Sequence, residues 1–214
     1  MTLPIIIIGA GGHSNVLVDI ARLLQRNIIG IVDANPRLTG TSINGCLVLG
    51  DDTYLDSLCR SDFLLVNGVG STSVPTRRKQ IFDKLKRNGF SFDVLCHPSS
   101  IISPSAVISE GCQIMAGAVI QPYAKILPNT IVNTRASIDH ETIIDQHCHI
   151  SPGSVICGSV SIESTCHIGA GSVVLQSVHI GHSTLVGAGS VVIKDIPANS
   201  VVAGIPASPL QLND

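Results

Sequence analysis

The chain has 214 residues, with 13 Lys plus Arg against 15 Asp plus Glu, a formal net charge of −2, 44% hydrophobic and 3% aromatic residues, and no Trp. A nucleic-acid binder should carry a basic excess, and a disordered chain should be poor in apolar residues, so both classes are disfavoured. The strongest N-terminal apolar run, Ile5 to Ile8, is far shorter than the ~20 residues a bilayer core requires, and no basic segment precedes it as in a signal peptide.

Residues 1 to 97 alternate strand-like and helix-like segments. Ile5 to Ile8 is a β-branched run that ends in Gly9-Ala10-Gly11-Gly12, after which Val16, Leu17, Ile20, Ala21, Leu23 and Leu24 recur at helical spacing. Ile28 to Val32 reads as a second strand closed by Asp33, and Asp62 to Val66 as another, followed by Asn67-Gly68-Val69-Gly70. Thr76 to Lys86 places Ile81, Phe82 and Leu85 on one helical face, and Phe92 to Leu95 reads as a last short strand. Strands alternating with helices predict βαβ units on a parallel sheet. The segment is short for a full dinucleotide domain, so a truncated Rossmann-like α/β module is expected.

From residue 101 the rhythm changes. Every sixth residue from Ile102 to Val192 is Ile or Val, sixteen consecutive matches without a slip. Four residues after each comes a mostly small side chain, such as Ala106, Cys112, Ala118 or Ser154, with Val160, Val178 and Ile196 as larger exceptions. Neither a helix nor an amphipathic strand has an exact period of six, whereas a hexapeptide β-helix does. Three hexads close one triangular coil of eighteen residues, with an aliphatic plug pointing inward from each flat side. Each buried plug contributes ~1.5–3 kcal/mol, and Cys112, Cys148 and Cys166 fall in small inward slots as packing residues. The second domain is therefore drawn over residues 98–214, and association along a flat face of the rod is expected.

Several side chains carry chemical possibilities. His140 beside Glu141 has the composition of a general base oriented by a carboxylate, and equally that of a solvated corner pair. His149 and His167 are eighteen apart and should stack on successive coils. Gly9-x-Gly11 after a strand suits phosphate binding at a helix N-terminus, although Ser14 stands where the dinucleotide fingerprint wants a third Gly or Ala. The same glycines also suit a plain tight turn. Cys157 has no base tied to it by spacing, which argues against a covalent acyl-enzyme. No two of the eight His are five apart, and His147 and His149 alternate faces, so a catalytic metal is not expected. Seven Cys without a C-x-x-C pair point to a reducing, cytoplasmic compartment rather than a disulfide framework.

The combination of Gly9-Ala10-Gly11-Gly12-His13, an unbroken hexapeptide half, Asn133-Thr134, Asp139-His140-Glu141 and His149-Ile150-Ser151-Pro152-Gly153 resembles the bacterial sugar O/N-acyltransferases of the sialic acid O-acetyltransferase and PglD kind. The tail Val202-Ala203-Gly204-Ile205-Pro206-Ala207 is similar to the end of hexapeptide acyltransferases. The resemblance implies a left-handed β-helix, a homotrimer, and acetyl-CoA as acyl donor in the groove between neighbouring rods. It implies His140 as catalytic base with Glu141 as its helper, and His149, Ala170 and Ala188 as acetyl-CoA contacts. The Gly158 N–H is the candidate oxyanion donor, since glycine lets a ligand approach the backbone. The diphosphate of a nucleotide sugar maps to Gly11, Gly12 and His13, the nucleoside to Asp33 and Ala34, with Gly70 in the same pocket and Asn133 as a sugar contact.

The activity so implied is acetyl-CoA-dependent N-acetylation of a UDP- or dTDP-linked amino-dideoxysugar for a surface glycan or lipopolysaccharide. Two other readings stay open at this point. One is O-acetylation of a sialic-acid-like sugar, which needs stronger base assistance. The other is a non-catalytic solenoid scaffold or sugar-nucleotide sensor.

Overall fold

The computed structural model describes residues 2–210. It contains an α/β module followed by a left-handed parallel β-helix. Strands β1 (Ile5–Ile8), β2 (Ile28–Val32), β3 (Ser42–Ile43), β4 (Cys46–Gly50) and β5 (Leu64–Asn67) form one sheet in the order β3-β4-β2-β1-β5. All pairings are parallel except β3 with β4. The β3–β4 hairpin and a short helix α2 (Asp52–Asp56) had no counterpart in the sequence reading. The hairpin's signal was present: Asn44-Gly45 turns it with φ of 47° and 72°, the left-handed pair that a tight hairpin demands.

Helix α1 (Gly12–Leu23) buries Leu17, Val18, Ile20 and Ala21 against the sheet, while Val16 and Leu23 of its helical repeat stay exposed. Helix α3 (Thr76–Arg87) buries Arg78, Phe82 and Leu85. The strand expected at Phe92–Leu95 is divided between two sheets. Phe92 makes an isolated parallel bridge to Leu65 of the α/β module, and the strand proper, Leu95–Cys96, pairs with Gln113–Ile114 of the prism. The first prism strand thus lies ahead of the boundary drawn at 97, because its partner is a coil later and not a strand before it.

Three faces enclose the prism. The first runs from Ile101–Ile102 to Val191–Val192, the second from Val107–Ile108 to His179–Ile180, and the third from Leu95–Cys96 through His149–Ile150 to Ser208–Pro209. Strands stack in strict register, each inward residue on its equivalent eighteen positions later, as Ile138 on Ile156 and Ile150 on Ile168. The inward column from Ile114 to Val192 is buried, and Ile102 and Ile108 at the open end are half-buried. The polar members of the small-residue column are satisfied within the core. The hydroxyls of Thr130, Thr142 and Ser172 donate to the carbonyls of Asp145, Cys157 and Gly187 at 3.0, 2.9 and 2.9 Å. A third periodicity appears at the corners. Every sixth residue from Gly111 to Gly189 takes a left-handed φ between 56° and 72°, whether Gly, Asn, Ser, Thr, Tyr, His, Arg or Glu.

The stacked plugs predict a stability test. Ile150→Ala opens a cavity between two coils, and chemical denaturation should show a loss of about 2–5 kcal/mol. A loss below ~1 kcal/mol would mean that the column does not carry the prism.

Candidate active site

Two cavities open along the joint between the modules. The larger, about 710 Å³, lies at the C-terminal ends of β1, β2 and β5. Helices α1 and α3 both begin at it. Neither has a side-chain N-cap or an acidic residue in its first turn, so no side chain of its own first turn offsets the positive end of either helix. A Cβ added at Gly11 or Gly12 would meet nothing within 4 Å, which leaves the backbone open to a ligand. Asp33 stands at the wall, its carboxylate accepting the Ala10 and Asn35 N–H groups at 2.7 and 2.8 Å. Gly70 packs on His13, where a Cβ would come within 3.2 Å of the His13 Cβ. Ala34 is exposed and lines neither cavity.

His13 couples this loop to the prism. The Gln113 side chain donates through Nε2 to the Asn67 carbonyl at 2.7 Å, which orients its amide. Gln113 Oε1 therefore accepts from His13 Nε2–H at 2.8 Å. Burial, then the Arg78 charge, lowers the His13 pKa to about 4. The ring is neutral at pH 7, so the loop presents its backbone N–H groups, and not an imidazolium, to an anion.

The smaller cavity, about 440 Å³, is a groove on the third face and includes Asn133, His149, His167, Ala170 and Ala188. Ser71, Thr72 and His149 wall both cavities. Asn133 Oδ1 accepts the Thr134 N–H at 2.7 Å, so its Nδ2 faces His149 Nε2 at 3.2 Å. Nε2 is then an acceptor, and Nδ1 carries the proton toward Ser71 Oγ at 2.8 Å. Burial, followed by neighbouring His167, His13 and Arg78, takes the His149 pKa to about 3. His149 and His167 do stack on successive coils, edge to face with centroids 5.0 Å apart, and His167 Nε2 meets Ser151 Oγ at 3.1 Å.

His140 and Glu141 lie elsewhere, on the corner between the first and second faces. Their side chains are 57% and 63% exposed, with Nδ1 and Oε2 3.4 Å apart. The His140 ring lies over Gly158, where a Cβ would be 2.6 Å from Cε1 and 2.7 Å from Nε2, so only glycine leaves the ring in place. The Gly158 N–H has no acceptor among the described residues. These three residues line neither cavity, and the width of the first face separates them from Asn133 and His149. One chain alone does not bring the two groups together.

Burial and Asp139 push the Cys157 thiol up, opposite to what a nucleophile requires. Among the described residues no three His, Cys, Asp or Glu side chains converge on a metal-sized site, and no helix is long and apolar enough to cross a membrane. Sequence reasoning missed Ser71, Thr72, Arg77 and Arg78. For Arg78 a signal existed, because it occupies the same helical stripe as Phe82 and Leu85.

An α/β module with glycine-loop cavity, set against a left-handed β-helix with a surface groove, defines a hexapeptide-repeat acyltransferase architecture. The model of the PglD N-terminal domain matches residues 4–85. The acetyltransferase domain of PglB from Neisseria gonorrhoeae FA1090 is 38% identical with a TM-score of 0.89, over 97% of this chain and 99% of that one; a second structure of it contains acetyl coenzyme A. The GDP-perosamine N-acetyl transferase of Caulobacter crescentus, solved with CoA and GDP-perosamine, is 33% identical with a TM-score of 0.90, over 97% of both chains. A UDP-N-acetylbacillosamine N-acetyltransferase from Bacillus subtilis (strain 168) is 47% identical over 55 residues, 26% of this chain and 24% of that protein's length. The chain belongs to the PglD-like sugar acetyltransferase family.

The buried imidazoles make stability depend on pH. His147, edge-on to Phe82 and bonded to Asn129, joins His13 and His149 in having a depressed pKa, about 4, mainly through burial. Each of the three binds a proton on unfolding that it does not bind when folded. Their contribution is complete above pH ~6.5 and is lost as pH falls toward 4. Denaturation midpoints should drop steeply across that window, with a linkage slope of about three protons; a flat profile would contradict these burials.

Proposed function

We propose that the protein is an acetyl-CoA-dependent N-acetyltransferase acting on the amine of a nucleotide-linked amino sugar. The observation that carries this reading is the common wall of Ser71, Thr72 and His149 between the two cavities. It lets a nucleotide sugar in the larger cavity extend toward a thioester in the groove. The paired helix N-termini and open glycines suit a diphosphate, and Asp33 is placed for a nucleoside hydroxyl. Ala170 and Ala188 leave room in the groove for a pantetheine arm. CoA and a nucleotide amino sugar accompany the Caulobacter relative in its structure, which supports the same pairing here.

The reaction needs a base, and His140 has the geometry for it. With Nδ1–H directed at Glu141, Nε2 keeps its lone pair for the substrate ammonium. The freed amine attacks the thioester carbonyl. The oxyanion of the tetrahedral intermediate is held by the Gly158 N–H; the attacking nitrogen sheds its second proton to solvent, and collapse expels the CoA thiolate, which takes up the proton held by His140. His149, locked neutral with Nδ1–H on Ser71, acts by orienting Asn133 and the wall and not as a base.

Because His140 and Gly158 lie a face away from the groove, a neighbouring chain supplies one half of each site. A homotrimer of rods does this with three equivalent sites. The half-exposed Val119, Val173 and Val191 with exposed Ile101 and Val155 give the first face an apolar stripe suited to such packing. The seven cysteines are all free, which supports a reducing cytoplasmic setting for work on precursors of a surface glycan or lipopolysaccharide.

Thiol release from acetyl-CoA with a panel of UDP-, dTDP- and GDP-linked amino sugars tests the activity. His140→Ala should lower kcat by ~10²–10⁴ at unchanged folding, the size of a general-base contribution; undiminished turnover would remove His140 from the mechanism. Sedimentation equilibrium should give a mass of three chains. A monomer that remains fully active would exclude the shared site.

A further inference from the structure

Ser71 stands where the two cavities meet, on the loop between β5 and α3. The approach to it is braced. Arg78, fully buried, donates through Nη1 to the carbonyls of Asn67 and Val69 at 2.7 and 3.0 Å, and through Nε to the Asn129 carbonyl of the prism at 3.1 Å. The Asn67 side chain accepts the Val69 N–H at 3.2 Å, and Gly70 packs on His13. The loop so held sets Ser71 Oγ 2.8 Å from His149 Nδ1.

The direction of that bond fixes the serine proton. Asn133 donates to His149 Nε2, so Nδ1–H is the donor toward Ser71 and Oγ the acceptor. A hydroxyl has one proton and two lone pairs. With a lone pair engaged by the ring, the Ser71 O–H is left to donate, and it has no acceptor among the described residues. Ser71 is half-buried and walls both cavities, so its proton is offered to whatever fills them. A nucleotide sugar with its diphosphate at Gly11 and Gly12 crosses the wall of Ser71, Thr72 and His149 to reach the groove, and the part that crosses is the sugar. Its hydroxyl and ring oxygens can accept a hydrogen bond, whereas its ammonium has no lone pair and cannot.

We propose that Ser71 is a sugar-binding residue: its hydroxyl donates to an oxygen of the sugar while its lone pair holds the His149 ring. This rests on the reading of the larger cavity as the nucleotide-sugar site and of the groove as the thioester site. Ser71 then fixes the sugar at the wall through an oxygen and leaves the amine for His140. A nucleoside diphosphate without its sugar ends before the wall and makes no use of the hydroxyl.

Titration calorimetry of the full chain tests this, without acetyl-CoA. The probes are the best-bound member of the UDP-, dTDP- and GDP-linked amino sugar panel and that compound's own nucleoside diphosphate. In Ser71→Ala, Kd for the nucleotide amino sugar should rise roughly three- to tenfold, the size of one neutral hydrogen bond, while Kd for the nucleoside diphosphate stays within about twofold. A residue that only shapes the loop would weaken both ligands alike. Equal rises, or no rise, overturn the proposal and leave the acetyltransferase reading intact. Repeating the pair of titrations in a His149→Phe background separates a contact from a relay. A direct contact keeps the selective rise; a relay through the imidazole loses it, and that loss also overturns the proposal. Failure of the wild-type chain to bind any nucleotide amino sugar of the panel overturns both the proposal and the functional reading.

Discussion

An aliphatic side chain at every sixth position fills the axis of the prism, and the backbone has no freedom to depart from that spacing. Each plug rests on another one coil away, so the corners must recur at the same interval. They do so even where a non-glycine residue must take a left-handed φ. Glu141 and His147 are two such corner residues. The corner that makes Glu141 turn outward is the one that presents His140, so the geometry of the candidate base follows from core packing one layer below it. The Ser and Thr members of the small column keep this core specific, because their hydroxyls donate to backbone carbonyls, those of Thr130, Thr142 and Ser172 on the adjacent coil.

The joint between the modules obeys a different rule. Beside an apolar contact that joins Met115 and Ile131 to the α/β core, it is built from neutral histidines, amides and one guanidinium without a carboxylate partner. Gln113 and Asn129 project from the prism into the α/β module, and their amide orientations decide which ring nitrogens of His13 and His147 carry protons. A polar joint of this kind is demanding, since every member must be satisfied at once. It is also responsive, because a ligand that supplies a missing partner changes the energy of the whole network. The two cavities share a wall at this joint.

Much of this was legible in the residue order. The hexapeptide period is visible because packing against an identical coil imposes an identical demand every six residues, and no other element has that period. The Gly-rich turn after Ile5–Ile8 was visible because close approach to a backbone requires glycine. Other elements were not. The β3–β4 hairpin is two residues against five, too short to show alternation, and only Asn44-Gly45 betrayed it. The strand at Leu95–Cys96 was misassigned because its partner, Gln113–Ile114, lies in a later coil. Ser71 and Thr72 look like ordinary loop residues until the loop is laid on His149.

The sequence by itself determined the prism, the parallel α/β module, the glycine loop and the identity of the groups able to move a proton, since these depend on local spacing and side-chain chemistry. The nine-residue spacing already put His140 and His149 on different sides of the prism; tertiary structure alone decided that His13 and His149 are neutral with defined tautomers and that Arg78 is buried without a counter-ion. Those properties arise from burial and from partners between sixteen and a hundred residues away, and a one-dimensional pattern holds no record of which distant group will occupy the space beside a ring nitrogen.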